Sequence, residues 1–299
     1  MSATVWEVTI AVLLAVLAFD LALAVIRRNK ETSIKEATAW TIFYVSAAIG
    51  FGYSLGVWNT TQSRNEFFAG WITEYSLSID NLFIFILILA RFKIDKTKQQ
   101  LVLLVGIIMA LILRGIFIAL GSAAISRYTW VFFIFGAFLL YTAFKLINES
   151  GEKEWKEGRL IGWFRKKGAS PLTIVLVAIA VTDLIFALDS IPAIFGLTKD
   201  PYIVFTANAF ALMGLRQLYF LIGGLMSRLI YLTKGLSIIL GFIGVKLIIE
   251  AFHGIGIHIL FRLHIPEISL PFSLTFIIGT LAITTIASLF VSSKSKVAE

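Results

Sequence analysis

The chain of 299 residues is 59% hydrophobic and 15% charged, well short of the roughly 25% charged residues that keep a soluble domain in water. Its net charge of +8 falls in short basic clusters between long apolar runs, which argues against nucleic acid as a partner and for a chain orienting itself in a lipid bilayer. The absence of cysteine excludes disulfides, thiolate metal sites and thiol redox chemistry.

Apolar windows fall at about 4–26, 39–59, 67–90, 99–121, 129–147, 171–195, 202–223, 234–251 and 270–291, each long enough to cross a hydrocarbon core of about 30 Å. The pattern predicts an all-α polytopic membrane protein with about nine transmembrane helices, in a bacterial inner (plasma) membrane. The first window, near Val5 to Ile26, is not preceded by a basic region and lacks a small-residue cleavage signal, so it reads as a retained span. With the N-terminus outside, cytoplasmic segments would hold Arg27, Arg28, Lys30 and Lys35, then Arg91, Lys93, Lys96 and Lys98. Further cytoplasmic segments hold the cluster Lys153 to Lys167, then Arg228 with Lys234, and Lys294 with Lys296. The outside keeps only Arg64, Arg127, Lys199 and Arg262. The positive-inside rule therefore places the N-terminus out and the C-terminus in. The three histidines, His253, His258 and His264, fall in the last external segment, away from the membrane acids.

Two blocks of the chain match each other. Glu74-Tyr-Ser-Leu-Ser-Ile-Asp80-Asn81 parallels Asp183-Leu-Ile-Phe-Ala-Leu-Asp189-Ser190. The next span of each block carries an arginine, Arg114 and Arg216, and the third ends alike, Lys145-Leu-Ile-Asn-Glu149 against Lys246-Leu-Ile-Ile-Glu250. Each lysine is expected to pair with the glutamate four residues on. An odd number of spans per block requires the second block to insert upside down, the architecture of many secondary transporters. The expected organisation is two N-terminal spans (1–66), a first three-helix repeat (67–149), a cytoplasmic connector (150–170), an inverted repeat (171–251), and an external segment with the final span and tail (252–299).

Asp20, Glu74, Asp80, Asp183 and Asp189 all lie within spans. Exposed to lipid, five such acids would cost on the order of 12 kcal/mol, so they are expected to face a bundle interior, a water-filled cavity, an arginine or an ion. At about 100° per residue, Glu74 shares a helix face with Ser78 and Asn81, and Asp183 shares one with Ser190. Pro192 leaves the carbonyl of Leu188 without a helical partner, which marks an expected helix break, and Asn208 on the next span offers another oxygen. Carboxylate, amide and carbonyl oxygens suit Mg²⁺, Ca²⁺ or Mn²⁺ rather than Zn²⁺ or Cu⁺. Two other readings stay open on the residues alone: a proton relay without metal, and structural pairing of the acids with Arg114 and Arg216. Asp20 could line an exit path or cap a packing contact.

Glu74-Tyr-Ser-Leu-Ser-Ile-Asp80-Asn81-Leu-Phe resembles the first acidic signature of the TerC family of integral membrane proteins. Asp183 through Pro192-Ala-Ile-Phe resembles its second, and Asn208-Ala-Phe-Ala-Leu-Met-Gly-Leu-Arg216-Gln-Leu-Tyr-Phe its third shared segment. The resemblance covers residues 35 to 290, and it implies divalent metal handling. The family lies near the lysine-exporter superfamily, and its Alx-type branch is associated with Mn²⁺ export. Carried over by position, it puts Glu74, Asp80, Asn81, Asp183, Asp189, Ser190 and Asn208 on the ion path. The expectation is a manganese exporter coupled to protons, with Mn²⁺ as transported ligand and no permanently bound cofactor. Its partners are the metal ion, protons and the lipid bilayer, with a homo-oligomer left open. No Ser-His-Asp set, nucleotide loop or cofactor motif points to an enzyme. The alternative is a membrane scaffold or assembly subunit for metal delivery or tellurite resistance, without transport of its own.

Overall fold

The computed structural model describes residues 1–26, 33–148, 159–222, 229–257, 259–260 and 263–295. Among them, nine helices are long and apolar enough to cross a membrane. In chain order these are α1 (Ala3–Ile26), α2 (Ile34–Trp58), α3 (Thr61–Arg91), α4 (Lys96–Arg127) and α5 (Val131–Asn148). After the short α6 (Arg159–Lys166) come α7 (Pro171–Phe195), α8 (Pro201–Ile222), α9 (Leu232–Gly254) and α10 (Leu270–Ser295). The protein is all-helical in architecture, as its composition requires. The one addition is a pair of two-residue strands, β1 (Ile259–Leu260) and β2 (Leu263–His264), antiparallel in the segment before α10.

Several helices begin where a side chain satisfies a free backbone N–H group. Thr60 caps α3 by accepting from the Ser63 N–H at 3.0 Å, and Ser170 caps α7 through the Thr173 N–H at 3.2 Å. Asp200 does the same for α8 through the Tyr202 N–H at 2.9 Å. In both α7 and α8 a proline follows the capping residue, where its missing N–H is one the helix would not have bonded. Helices α3 and α4 contain 31 and 32 residues. At 1.5 Å per residue each is about 45 Å long, so they overrun the hydrocarbon core or cross it tilted. Both are longer than the apolar windows suggested, because their polar ends continue the helix outside the apolar stretch. Inside the sequence-predicted connector, α6 forms and buries Ile161 against the bundle.

At the centre lie α3, α4, α7 and α8. Leu82, Phe85 and Ile88 of α3 share one core with Ile107 of α4, Val175 and Ile179 of α7, and Leu215 of α8. Helices α5 and α9 pack closely on one another beside this core. At their crossing, a Cβ on Gly136 would fall 2.8 Å from the Gly244 carbonyl oxygen, and one on Gly244 would fall 3.0 Å from the Gly136 carbonyl oxygen. Only glycine permits that backbone approach, the usual means of bringing helices together where lipid removes the hydrophobic drive. Helices α1, α2 and α10 are peripheral and leave large apolar side chains uncovered, among them Ile26, Ile34, Val57 and Ile283. Such a surface is suited to acyl chains.

Several buried hydroxyls are satisfied within their own helices. Thr73 donates to the Ala69 carbonyl at 2.8 Å, Ser76 to that of Ile72 at 2.6 Å, and Thr206 to that of Tyr202 at 2.8 Å. This back-bonding is the standard solution for small polar residues inside a helix bundle.

Candidate functional site

Four helices each place polar groups at one point of the central bundle. Helix α3 brings Glu74 with Ser78 one turn on, α4 brings Arg114, α7 brings Asp183 and Ser190, and α8 brings Asn208. Every one of these residues is buried, and Arg114 is only 1% exposed. The guanidinium sits in the middle. Its Nε and Nη2 donate to Asp183 Oδ2 and Oδ1 at 3.1 and 3.0 Å, the two-pronged geometry that suits a carboxylate. Its Nη1 pairs with Glu74 Oε1 and lies 2.8 Å from Asn208 Oδ1 and 3.2 Å from Ser190 Oγ. Ser78 adds a donor to Glu74 Oε1 at 3.0 Å, and the Asn208 amide anchors itself on the Val204 carbonyl at 2.9 Å.

Two carboxylates against one guanidinium leave the cluster one negative charge in excess when all three are ionised. In the bonding, Glu74 Oε2 is buried with no hydrogen-bond partner among the described residues. An unmet buried acceptor costs about 1–3 kcal/mol, more when it is charged. Among the described residues the site therefore lacks a donor at Glu74 Oε2.

Other expected residues lie apart from this cluster. Asp189 is one step round α7 from Ser190 and faces α5, where Thr142 donates to its Oδ1 at 3.0 Å and Lys145, one turn further, adds a positive field. Asn81 is buried on α3, one turn from Ser78. Asp20 is buried on α1 and engaged in an interaction there. Asp80 and Arg216 lie on α3 and α8, and their side chains fall outside the described ones. His258 and Glu149 are outside the described residues altogether. Among the described residues, no three of histidine, cysteine, aspartate or glutamate group as a metal site would. The Glu74–Asp183 pair is completed by an arginine, a serine and an asparagine instead.

Two expectations are corrected. Helix α7 runs unbroken through Pro192 and ends at Phe195. The proline takes one hydrogen bond from the Leu188 carbonyl in the turn before it, and the turn after it still closes, with Gly196 N–H bonded to the Pro192 carbonyl at 3.0 Å. Lys246 does not take Glu250 as its hydrogen-bonding partner: it donates to Ser273 of α10 at 3.2 Å, while Glu250 pairs with Lys199 from the α7–α8 turn. A partner on a neighbouring element outcompeted the one along the same helix. Of the histidines, His253 donates from Nε2 to the Ile265 carbonyl at 3.2 Å, which fastens the segment before α10 to the end of α9. Thr142 as the partner of Asp189 was not anticipated, since a lone threonine in an apolar run carries no signal of its own.

The profile of the integral membrane protein TerC family matches residues 59–296. The uncharacterized membrane protein Rv2723 of Mycobacterium tuberculosis (strain H37Rv) is 38% identical, with 96% of this chain and 79% of the relative covered. A membrane protein of Myxococcus xanthus, STKORF319, is 36% identical over 96% of this chain and 92% of its own. A protein of Escherichia coli (strain K12) named "Putative membrane-bound redox modulator Alx" is 35% identical over 96% and 94%. No solved structure matches. The chain belongs to the TerC family of integral membrane proteins.

Proposed function

We propose that this protein exports a hard divalent cation, Mn²⁺ in the first place, from the cytoplasm in exchange for protons. The observation that carries the reading is the convergence, inside a membrane-spanning bundle, of Glu74, Asp183, Ser190 and Asn208 on one point. Intramembrane acids are expensive and mark ion pathways, and oxygen-only donors suit Mg²⁺, Ca²⁺ and Mn²⁺. The choice of Mn²⁺ among these rests on the family resemblance. Asp189, with Thr142, and Asp80 would flank the central site along the path.

Alternating access follows from an inverted repeat of α3–α5 and α7–α9. Its support is the direction of the paired helices. Going along α5 from Gly136 to Ala143, the neighbours on α9 run backwards from Ile248 to Gly241. The start of α3 meets the end of α7 at Gly70 and Ile194, whereas Phe85 and Leu89 share a core with Ile174 and Val175 at the start of α7. Each helix thus lies antiparallel to its counterpart, with the substrate site where the two blocks meet.

The name borne by the Escherichia coli relative suggests a redox role instead. Without a cysteine, this chain has no thiol to oxidise, so an effect on redox state would arise indirectly, through a metal it moves. A scaffold without transport is separated from the exporter by flux. In proteoliposomes, Mn²⁺ transport is expected to quicken when a proton gradient opposes the metal movement and to slow when the gradient is collapsed. Flux indifferent to pH gradient would remove the proton coupling, and absence of Mn²⁺ flux would favour the scaffold.

A further inference from the structure

We infer that Arg114 is a tethered competitor of the transported cation: its guanidinium fills the central site when the site is empty of metal, and a divalent ion binds by displacing it. The inference rests on the cation-transport reading above and adds what holds the site between transport events.

Three oxygens, from Glu74, Ser190 and Asn208, surround the single nitrogen Nη1. A guanidinium Nη carries two hydrogens, so Nη1 alone cannot serve all three oxygens at once. Glu74 Oε2 is a further buried acceptor, with no donor among the described residues. Counting both oxygens of Asp183, four side chains from three helices bring five oxygens to the guanidinium, and Glu74 Oε2 adds a sixth to the cluster. A cage built only to hold an arginine would leave no such acceptor, because an unmet buried acceptor is destabilising. Six oxygens do match the preference of hard divalent ions for six or more oxygen ligands at about 2.0–2.6 Å.

Charge points the same way. When both are ionised, Glu74 and Asp183 together present two negative charges, which one divalent ion neutralises and one guanidinium does not. With both cations present, the buried site would carry one positive charge in excess, so metal and arginine exclude one another. When the metal leaves, the returning guanidinium prevents two carboxylates from facing each other bare in a low-dielectric interior. A tethered competitor also weakens apparent affinity in proportion to the time it fills the site, and a transporter must release its cargo as well as bind it.

The test is Mn²⁺ binding to the purified full-length protein, read from the loss of the free Mn²⁺ electron paramagnetic resonance signal. Arg114→Gln is expected to bind about tenfold more tightly than the wild type, or more, if the arginine fills the site at least nine-tenths of the time. Arg114→Lys, which keeps the charge and loses the fork, should tighten binding by a smaller factor and serves where the glutamine variant does not fold. Free guanidinium ion should compete with Mn²⁺ in Arg114→Gln and have little effect on the wild type. Binding that stays unchanged or weakens in the variants, while the wild type binds, would make Arg114 a structural latch and overturn the inference alone. If neither the wild type nor any variant binds Mn²⁺, the cation-transport reading falls and the inference with it.

Discussion

A buried arginine between two acids from different helices is a demanding arrangement at the scale of single residues, because each member depends on the others. Removing one partner from such a cluster strands the remaining charges, at a cost of about 3–5 kcal/mol. Asp183, held by both prongs of Arg114, is the member whose loss leaves the guanidinium least satisfied. Asp189, half-buried with a hydroxyl partner, has no such dependant. Asp183→Ala should therefore lower the melting temperature of the purified protein sharply, and Asp189→Ala should shift it little. Equal effects would show that Asp183 does not hold the cluster together. The sequence supplies the participants here but not their pairing. Helical spacing brings Glu74 to Ser78 and Asp183 to Ser190 on common faces, and the cost of membrane acids makes them stand out. Spacing along one helix cannot say which of two arginines on other helices will reach them, so Arg114 stands in the sequence as one of two candidate counter-ions.

Helices in this protein are recognised by length and apolarity, and their contacts by small residues. All nine apolar windows of the sequence correspond to helices, and departures are confined to their ends. The ends drift because Ser, Thr and Asp caps lie outside the apolar stretch, as Thr60 does for α3. Pro192 shows the limit of a local rule: past the first turn a proline takes one hydrogen bond from the turn before it, but that single loss does not stop α7, which continues to Phe195. Lys246 and Glu250 show another limit, since a four-residue spacing permits a pair without requiring it. The crossing of α5 and α9 depends on Gly136 and Gly244, and the backbone oxygens facing them cannot move aside as side chains can. Gly136→Val should force the helices apart and destabilise the protein by about 1–3 kcal/mol or more, the usual range for overpacking. A thermal melt and gel-filtration profile of the variant would check this, and wild-type behaviour would mean the crossing is looser than the backbone distances imply.

For the whole molecule, the membrane character and the helix count were legible from composition and hydropathy, because a bilayer imposes a length that a soluble core does not. The meeting of the two acidic blocks could be inferred only from their internal likeness, and their antiparallel packing supports the proposal of an inverted repeat. The proposed transport depends on that meeting: α3 and α7 each bring an acid to the same point, and rocking one block against the other would expose that point to each side in turn. The most direct test of the account is Mn²⁺ flux into proteoliposomes containing wild type or Asp183→Asn, compared at matched incorporation of folded protein. The asparagine keeps the shape of the aspartate and removes one of the two charges that balance a divalent ion. The account predicts Mn²⁺ flux in the wild type and a loss of about tenfold or more in the variant, the effect of a charged ligand worth at least 1.4 kcal/mol. Equal flux in the two proteins, or none in the wild type, would contradict it.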